Sequence, residues 1–110
     1  MPARVYWLAG TPPGVSRGLH AHKELEQVFI CLWGSVRVTL DDGQARIVHN
    51  LRAGSPALHI EPGFWRVIEL ASAESVMLVF ASAPYDPDDY IYDYKEFLEW
   101  KRTNLEGTLH

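Results

Sequence analysis

The sequence predicts an all-β fold, a small barrel or sandwich that carries a single helix at its C-terminal end. Three observations support this prediction. Seven or eight short runs of β-forming residues recur along the 110 residues, and most of them end at Gly, Pro or Asp. The run at 35–40 alternates apolar and polar side chains, as a half-buried strand does. Only the C-terminal end shows apolar side chains at helical spacing.

The predicted strands follow one another closely, with turn residues between them. The run at 35–40 and the run after it form a predicted hairpin, because Asp41-Asp42-Gly43 supplies a turn. The run at 75–81 is apolar throughout, so we expect both of its faces to be covered. In chain order, we expect strands at 4–8, 28–32, 35–40, 44–51, 57–61, 65–70 and 75–81.

The C-terminal segment predicts one helix over about 91–102. Tyr94 and Phe97 belong to an aromatic set at helical spacing, which would pack on the sheet. Acidic residues precede this segment, among them Asp89, and they suit the positive end of a helix macrodipole. Residues from about 103 to 110 are expected to fray.

Length and composition limit the classes of function. A chain of 110 residues predicts one domain over 1–110. A formal charge of −4 leaves no basic stripe for nucleic acid, and no apolar run approaches the roughly 20 residues of a membrane span. The N-terminus shows no signal-peptide pattern, and the lone Cys31 excludes an internal disulfide. We therefore expect a cytoplasmic protein without nucleic-acid or membrane partners.

Two histidines make the clearest candidate site. Residues two apart on a strand project from the same face, so His20 and His22 converge if this stretch is extended. With Gly14, Gln27 and Gly34 they fit the spacing G-x5-H-x-H-x4-E-x6-G, the first motif of the cupin superfamily, except that Gln27 replaces Glu. This resemblance implies a small double-stranded β-helix barrel, or jelly roll, with both histidines pointing into its mouth.

The residues around this motif favour a site without a metal or another cofactor. A neutral amide at Gln27 is a much weaker ligand for a divalent ion than a carboxylate. In the second cupin motif, Arg66 stands where a fourth histidine ligand is usual, and its charge would repel a cation. His49 and His59 have no evident reason to join the pair. A metal-dependent cupin enzyme remains an alternative, as does a pair of surface histidines on a loop.

Four stretches of the chain resemble the sugar 3,4-ketoisomerase family, the FdtA-like or WxcM-like cupins. They are RGLHAHKELEQ, CLWGSVRVTLDDG, HIEPGFWRV and MLVFASAPYDPDDYIYDYKEFLEW, and the resemblance extends from about Arg4 to Trp100. The resemblance implies a metal-free, dimeric enzyme that acts on dTDP-4-keto-6-deoxyglucose in deoxyamino-sugar synthesis. An exposed β edge in so small a domain is usually covered, which also favours a homodimer.

The resemblance also implies roles for individual residues. His20 and His22 would be the proton-transfer pair that moves the keto group between C4 and C3 through an enediol. Positioned donors would stabilise the enediolate or bind the pyrophosphate, with Arg66 as the expected phosphate contact and Tyr6 as a hydroxyl donor or acid. The full set of implied substrate-binding residues is Arg4, Tyr6, Arg17, Lys23, Gln27 and Arg66.

Two departures from the family pattern keep a second class of function open. Family chains usually begin upstream of the strand that matches RVYWL, and an arginine often follows DYI where this chain has Tyr92. A cupin that binds a sugar nucleotide without converting it is therefore an alternative. The residues leave open the configuration at C4 of the product, the nucleotide base and which histidine is the base.

Overall fold

The chain folds into two antiparallel β-sheets that face each other, with a helix at the C-terminal end. The structure is a computed structural model that describes residues 2–10, 12 and 14–108, with side chains described through residue 104. The strands are β1 (Arg4–Leu8), β2 (Ser16–His22), β3 (Gln27–Trp33), β4 (Ser35–Asp41), β5 (Arg46–Arg52), β6 (Leu58–Ile60), β7 (Trp65–Leu70), β8 (Val76–Ala81) and β9 (Tyr90–Ile91). A 3₁₀ helix (Pro87–Asp89) precedes β9, and α1 (Tyr94–Thr108) follows it.

One sheet has the strand order β1-β8-β3-β6, and the other has the order β5-β4-β7-β2-β9. Alternate residues of the strands point between the sheets and form the core, which includes Phe29, Val36, Leu70, Met77 and Val79. This arrangement confirms the prediction of a small all-β cupin fold with one C-terminal helix. None of the helices among the described residues has the length and apolar character needed to cross a membrane.

The outer face of the four-stranded sheet is apolar. The strand register places Val5 and Trp7 of β1 opposite Phe80 and Leu78 of β8. Val28 and Ile30 of β3 flank the same two β8 residues from the other side. Because successive residues of a strand point to opposite faces, these six side chains share the face that points away from the core.

This outer face corrects one prediction about β8. The apolar run led us to expect that both faces of β8 are covered. Met77, Val79 and Ala81 are buried, but Leu78 and Phe80 are only half-buried. Burial alternates along β8 because, within the described part of the chain, only one face of its sheet is packed against other elements.

The predicted helix bounds were wrong at both ends. The helix begins at Tyr94 rather than near 91, because Tyr90 and Ile91 pair with β2 as a short strand. Asp93 caps the helix: its carboxylate accepts the Lys95 N–H at 2.8 Å, and its carbonyl accepts the Phe97 N–H at 2.9 Å. The backbone stays helical through Thr108, where fraying was predicted, and residues 109–110 lie outside the described part.

Candidate active site

A cavity of about 350 Å³ opens between the two sheets. Strands from both sheets line it: β1 and β3 on one side, β2 and β7 on the other, with the residues around β9 at the rim. The polar lining residues are Tyr6, Arg17, His20, Gln27, Arg66, Tyr90 and Tyr92. Such a concave site with a few convergent polar groups is the usual form of a small-molecule site.

A bulge in β2 sets the direction of the histidines. Arg17 pairs with Ile68 of β7, but the next pair is His20 with Arg66, so β2 has one extra residue in this interval. Gly18 lies within the bulge at φ +67°, where a side chain would be strained. Beyond the bulge β2 continues as an extended strand, which places His20 and His22 on one face.

The two imidazole rings are in direct contact. The Nε2 atoms of His20 and His22 are 3.1 Å apart, and the rings meet edge to face. The ring of His22 is completely buried, whereas His20 lines the cavity. On its far side, His22 Nδ1 lies 2.9 Å from Oδ2 of Asp89. Asp89, His22 and His20 therefore form one hydrogen-bonded chain that ends at the cavity.

Both rings are neutral at pH 7. Burial, then the charge of Arg66 and then the neighbouring ring lower the pKa of His20 to about 3. Burial and Arg66 also lower the pKa of His22, to about 4, although Asp89 acts in the opposite direction. A neutral pair can hold a single proton between its two Nε2 atoms, which leaves a nitrogen of the pair able to accept a further proton.

Gln27 is held by hydrogen bonds at both ends of its amide. Its oxygen accepts a hydrogen bond from Arg66 Nη1, and its Nε2 donates to the Tyr6 hydroxyl at 3.1 Å. The guanidinium of Arg66 is completely buried and also donates to the Phe64 carbonyl at 3.1 Å. Burial lowers the pKa of Arg66 to about 10, so the group stays cationic at neutral pH.

These contacts explain why an amide suits position 27. A carboxylate would also accept from Arg66, but it could not donate to Tyr6. Arg66 places a positive charge beside both histidines, at the position where the second cupin motif would supply a fourth metal ligand. Within the described ranges, no three or more His, Cys, Asp or Glu side chains are grouped so that they could hold a metal ion.

The remaining predicted residues take different positions. Arg17 is exposed and lines the mouth of the cavity. The Arg4 guanidinium lies over the Tyr6 ring at 5.1 Å and lines a neighbouring cavity of about 200 Å³. Lys23 is exposed and is absent from the residues that line either cavity. The structure therefore gives the expected substrate contact of Lys23 no support.

Three residues of the site were not identified from the sequence. Tyr90 and Tyr92 stack at 5.2 Å and 15° beside His20, and Asp89 contacts His22. We interpreted Asp89 as an acidic residue before a helix, but it ends a 3₁₀ helix and points back to β2. The quoted motif YDPDDYIYDY contains all three residues, so the family resemblance was the available signal.

The fold and the cavity define a small cupin barrel whose pocket is built around a histidine pair. The chain belongs to the FdtA family: the family described as "FdtA: WxcM-like, C-terminal" matches residues 1–102. This match confirms the resemblance inferred from the motifs.

Similar proteins are sugar ketoisomerases. The TDP-4-oxo-6-deoxy-alpha-D-glucose-3,4-oxoisomerase of Aneurinibacillus thermoaerophilus is 44% identical over 106 residues, which cover 94% of this chain and 75% of that protein. QdtA, a sugar 3,4-ketoisomerase from Thermoanaerobacterium thermosaccharolyticum solved with TDP, has a TM-score of 0.89 at 35% identity, covering 94% and 75% of the two chains. A histidine-to-asparagine variant of QdtA, solved with TDP-4-keto-6-deoxyglucose, has a TM-score of 0.88 at 34% identity, covering 93% and 74%.

Proposed function

We propose that this chain is a TDP-sugar 3,4-ketoisomerase, which moves the keto group of a dTDP-linked 4-keto-6-deoxyhexose from C4 to C3. The observation that carries the proposal is the pair of neutral histidines, with Nε2 atoms 3.1 Å apart, at a cavity between the sheets. Membership of the FdtA family and the substrates named for its relatives support the same reaction.

The reaction needs a group that accepts a proton from carbon and returns it to the neighbouring carbon. A base takes the proton from C3 and O4 gains a proton, which gives an enediol; a proton is then delivered to C4 while O3 gives up its proton and becomes the new carbonyl oxygen. Imidazole suits both steps because one ring can accept and donate. His20 lines the cavity, and His22 lies behind it, so the two rings can pass one proton between their Nε2 atoms.

Arg66 is assigned to the enediolate rather than to the expected phosphate contact. Its side chain is fully buried beside Gln27 at the base of the cavity, and a diphosphate would have to enter deeply to meet it. Negative charge that develops on the sugar oxygens would meet the fixed guanidinium. The same negative charge would offset the effect of Arg66 on the pKa of both histidines, so that the rings accept a proton more readily during the reaction.

The other polar groups divide between the sugar and the diphosphate. Arg17 lies exposed at the cavity mouth, where its planar guanidinium suits phosphate oxygens. The Tyr6 hydroxyl accepts from Gln27, which leaves its own proton available to a sugar oxygen in the cavity. Arg4 supports Tyr6 through its position over the ring. Lys23 stays a prediction from the family resemblance.

The test is direct conversion of TDP-4-keto-6-deoxyglucose, followed by NMR of the product. We expect turnover by the native chain, and a loss of about 100-fold or more in His20→Asn and in His22→Asn. Circular dichroism would verify that both variants stay folded. Binding of the substrate without conversion by the native chain would favour the sugar-nucleotide-binding alternative. Near-normal turnover by both variants would contradict the histidine assignment, and loss of activity on chelation would favour the metal-dependent alternative.

A homodimer is part of the proposal, with a second copy covering the outer face of the four-stranded sheet. Val5 and Trp7 on this face are 50% and 69% exposed, and four further apolar residues of β3 and β8 continue it. Contiguous apolar surface of this kind marks interaction sites in proteins of this size. A cytoplasmic location also stays a prediction.

A further inference from the structure

Asp89 is the end of the hydrogen-bonded series that reaches the cavity through His22 and His20. Its Oδ2 lies 2.9 Å from His22 Nδ1, and the side chain is 13% exposed. His22 has no other polar contact at Nδ1 among the described hydrogen bonds. The carboxylate is thus the group that decides whether this nitrogen carries a proton.

The position of Asp89 is fixed by the connection between β2 and β3. Its Oδ1 accepts the Glu24 N–H at 2.7 Å, and its Oδ2 lies 3.4 Å from the Leu25 N–H. Its carbonyl accepts the Lys23 N–H at 3.0 Å. The carboxylate therefore accepts hydrogen bonds from backbone N–H groups. An ionised carboxylate has no proton to donate, so it accepts from His22 Nδ1 as well.

The accepting carboxylate fixes the direction of both hydrogen bonds in the series Asp89–His22–His20. Because the carboxylate accepts, His22 carries its proton on Nδ1, and its Nε2 has a free lone pair. His20 Nε2, at 3.1 Å, is then the donor to His22 Nε2. One proton lies between the rings, and His20 Nδ1 is left as an acceptor.

We propose that Asp89 is a positioning residue for the reaction, which holds His22 in the Nδ1–H tautomer and so orients the proton between the two histidines. The inference rests on the proposed function, since it gives Asp89 a role in proton transfer by that pair. Asp89 contacts neither the cavity nor a bound sugar in this assignment; it acts through His22. A carboxylate that orients an imidazole in this way is a recurring device in proton-transfer sites.

The decisive variant is Asp89→Asn, which keeps size and shape. The Asn oxygen would accept the Glu24 N–H, and the amide NH₂ would then face His22 Nδ1. Nδ1 would have to accept, so the His22 proton would move to Nε2, where it opposes the donor on His20. We expect turnover to fall by about 10²- to 10⁴-fold with little change in KM.

A matched control is Asp86→Asn. Asp86 caps the same 3₁₀ helix by accepting the Asp88 N–H at 3.0 Å, and it has no contact with the histidines. If Asp89 serves only to hold this turn, both variants would lose turnover to a similar extent. We expect Asp86→Asn to keep turnover within a few-fold of the native chain.

A second measurement reads the tautomer without any substrate. Nitrogen-15 NMR of the histidine side chains distinguishes a protonated from an unprotonated ring nitrogen. We expect His22 protonated at Nδ1 in the native chain and at Nε2 in Asp89→Asn. A native His22 protonated at Nε2, or an unchanged tautomer and turnover in Asp89→Asn, would overturn the inference. If the native chain fails to convert the sugar but the tautomer changes as expected, the proposed reaction fails while the control of His22 by Asp89 is supported.

Discussion

The candidate site keeps two histidines uncharged beside a buried cation. His20 and His22 are packed against Arg66, and both burial and that charge favour the neutral form. Gln27 accepts from Arg66 Nη1 without adding a second charge, because its amide accepts at one end and donates at the other. In the free protein, the cationic Arg66 therefore lies at the bottom of the cavity, next to two neutral proton acceptors. This arrangement suits a reaction in which negative charge develops on the substrate.

This arrangement predicts that the fold loses stability in mild acid. The pKa of each histidine is lowered from about 6.5, to about 3 for His20 and about 4 for His22. Below pH 6.5 the unfolded chain binds protons that the folded chain excludes, so the free energy of unfolding falls as pH falls. Between pH 7 and pH 5 we expect a loss of about 1–2 kcal/mol for each ring, measured by urea unfolding followed by tryptophan fluorescence.

The control for this prediction is the double variant His20→Asn and His22→Asn. It retains His49 and His59 and every carboxylate, so their contributions are common to both proteins. The variant is expected to lose less unfolding free energy than the native chain over the same interval. Equal losses in the two proteins would show that the pair does not titrate as assigned.

Among the strands and helices, the bulge in β2 is the feature that orients the side chains of His20 and His22. Gly18 has φ +67°, and a Cβ atom there would approach Ile68 Cδ1 to 2.9 Å. Gly18→Ala is therefore expected to cost about 1–3 kcal/mol in the free energy of unfolding and to displace the strand that carries His20. Turnover should fall more than about 10-fold. Urea unfolding and steady-state kinetics measure the two effects.

Gly54→Ala is the matched control for the backbone strain alone. Gly54 also has a positive φ, +91°, but nothing lies within 4 Å of the position that its Cβ would take. This variant is expected to lose stability without a change in turnover. If both variants lose turnover equally, or neither does, the bulge does not control the histidine pair.

The sequence predicted the elements that depend on local pattern and missed those that depend on distant pairing. Strands such as β7 and the hairpin of β4 and β5 follow from alternation and turn residues. The two-residue strand β9 has no such pattern, because its pairing with Ala21 and His22 exists only in the folded chain. The helix start was misplaced for this reason. The contact of Asp89 with His22, 67 residues apart in the chain, was missed for the same reason.

For the whole molecule, the two sheets differ in what covers their outer faces. On the five-stranded sheet, Trp65 packs against Tyr94 and Phe97 of α1, so the helix covers part of that face. The four-stranded sheet has no such cover among the described residues, and its outer face is apolar along β1, β3 and β8. A surface of this kind is costly to leave in water, and a second copy of the chain would cover it symmetrically.

The homodimer proposal therefore predicts that a charge on this face separates the copies. Trp7, 69% exposed on β1, is replaced by lysine, and sedimentation velocity is expected to show a dimer for the native chain and a monomer for Trp7→Lys. Ile47→Lys is the control, because Ile47 is 59% exposed but lies on β5 of the other sheet. Thermal unfolding would verify that both variants fold. Only a lysine buried at the contact carries a large desolvation cost, so the variant that dissociates marks the interface. Dissociation by Ile47→Lys but not by Trp7→Lys would place the interface elsewhere. A native chain that is monomeric at high concentration would contradict the homodimer.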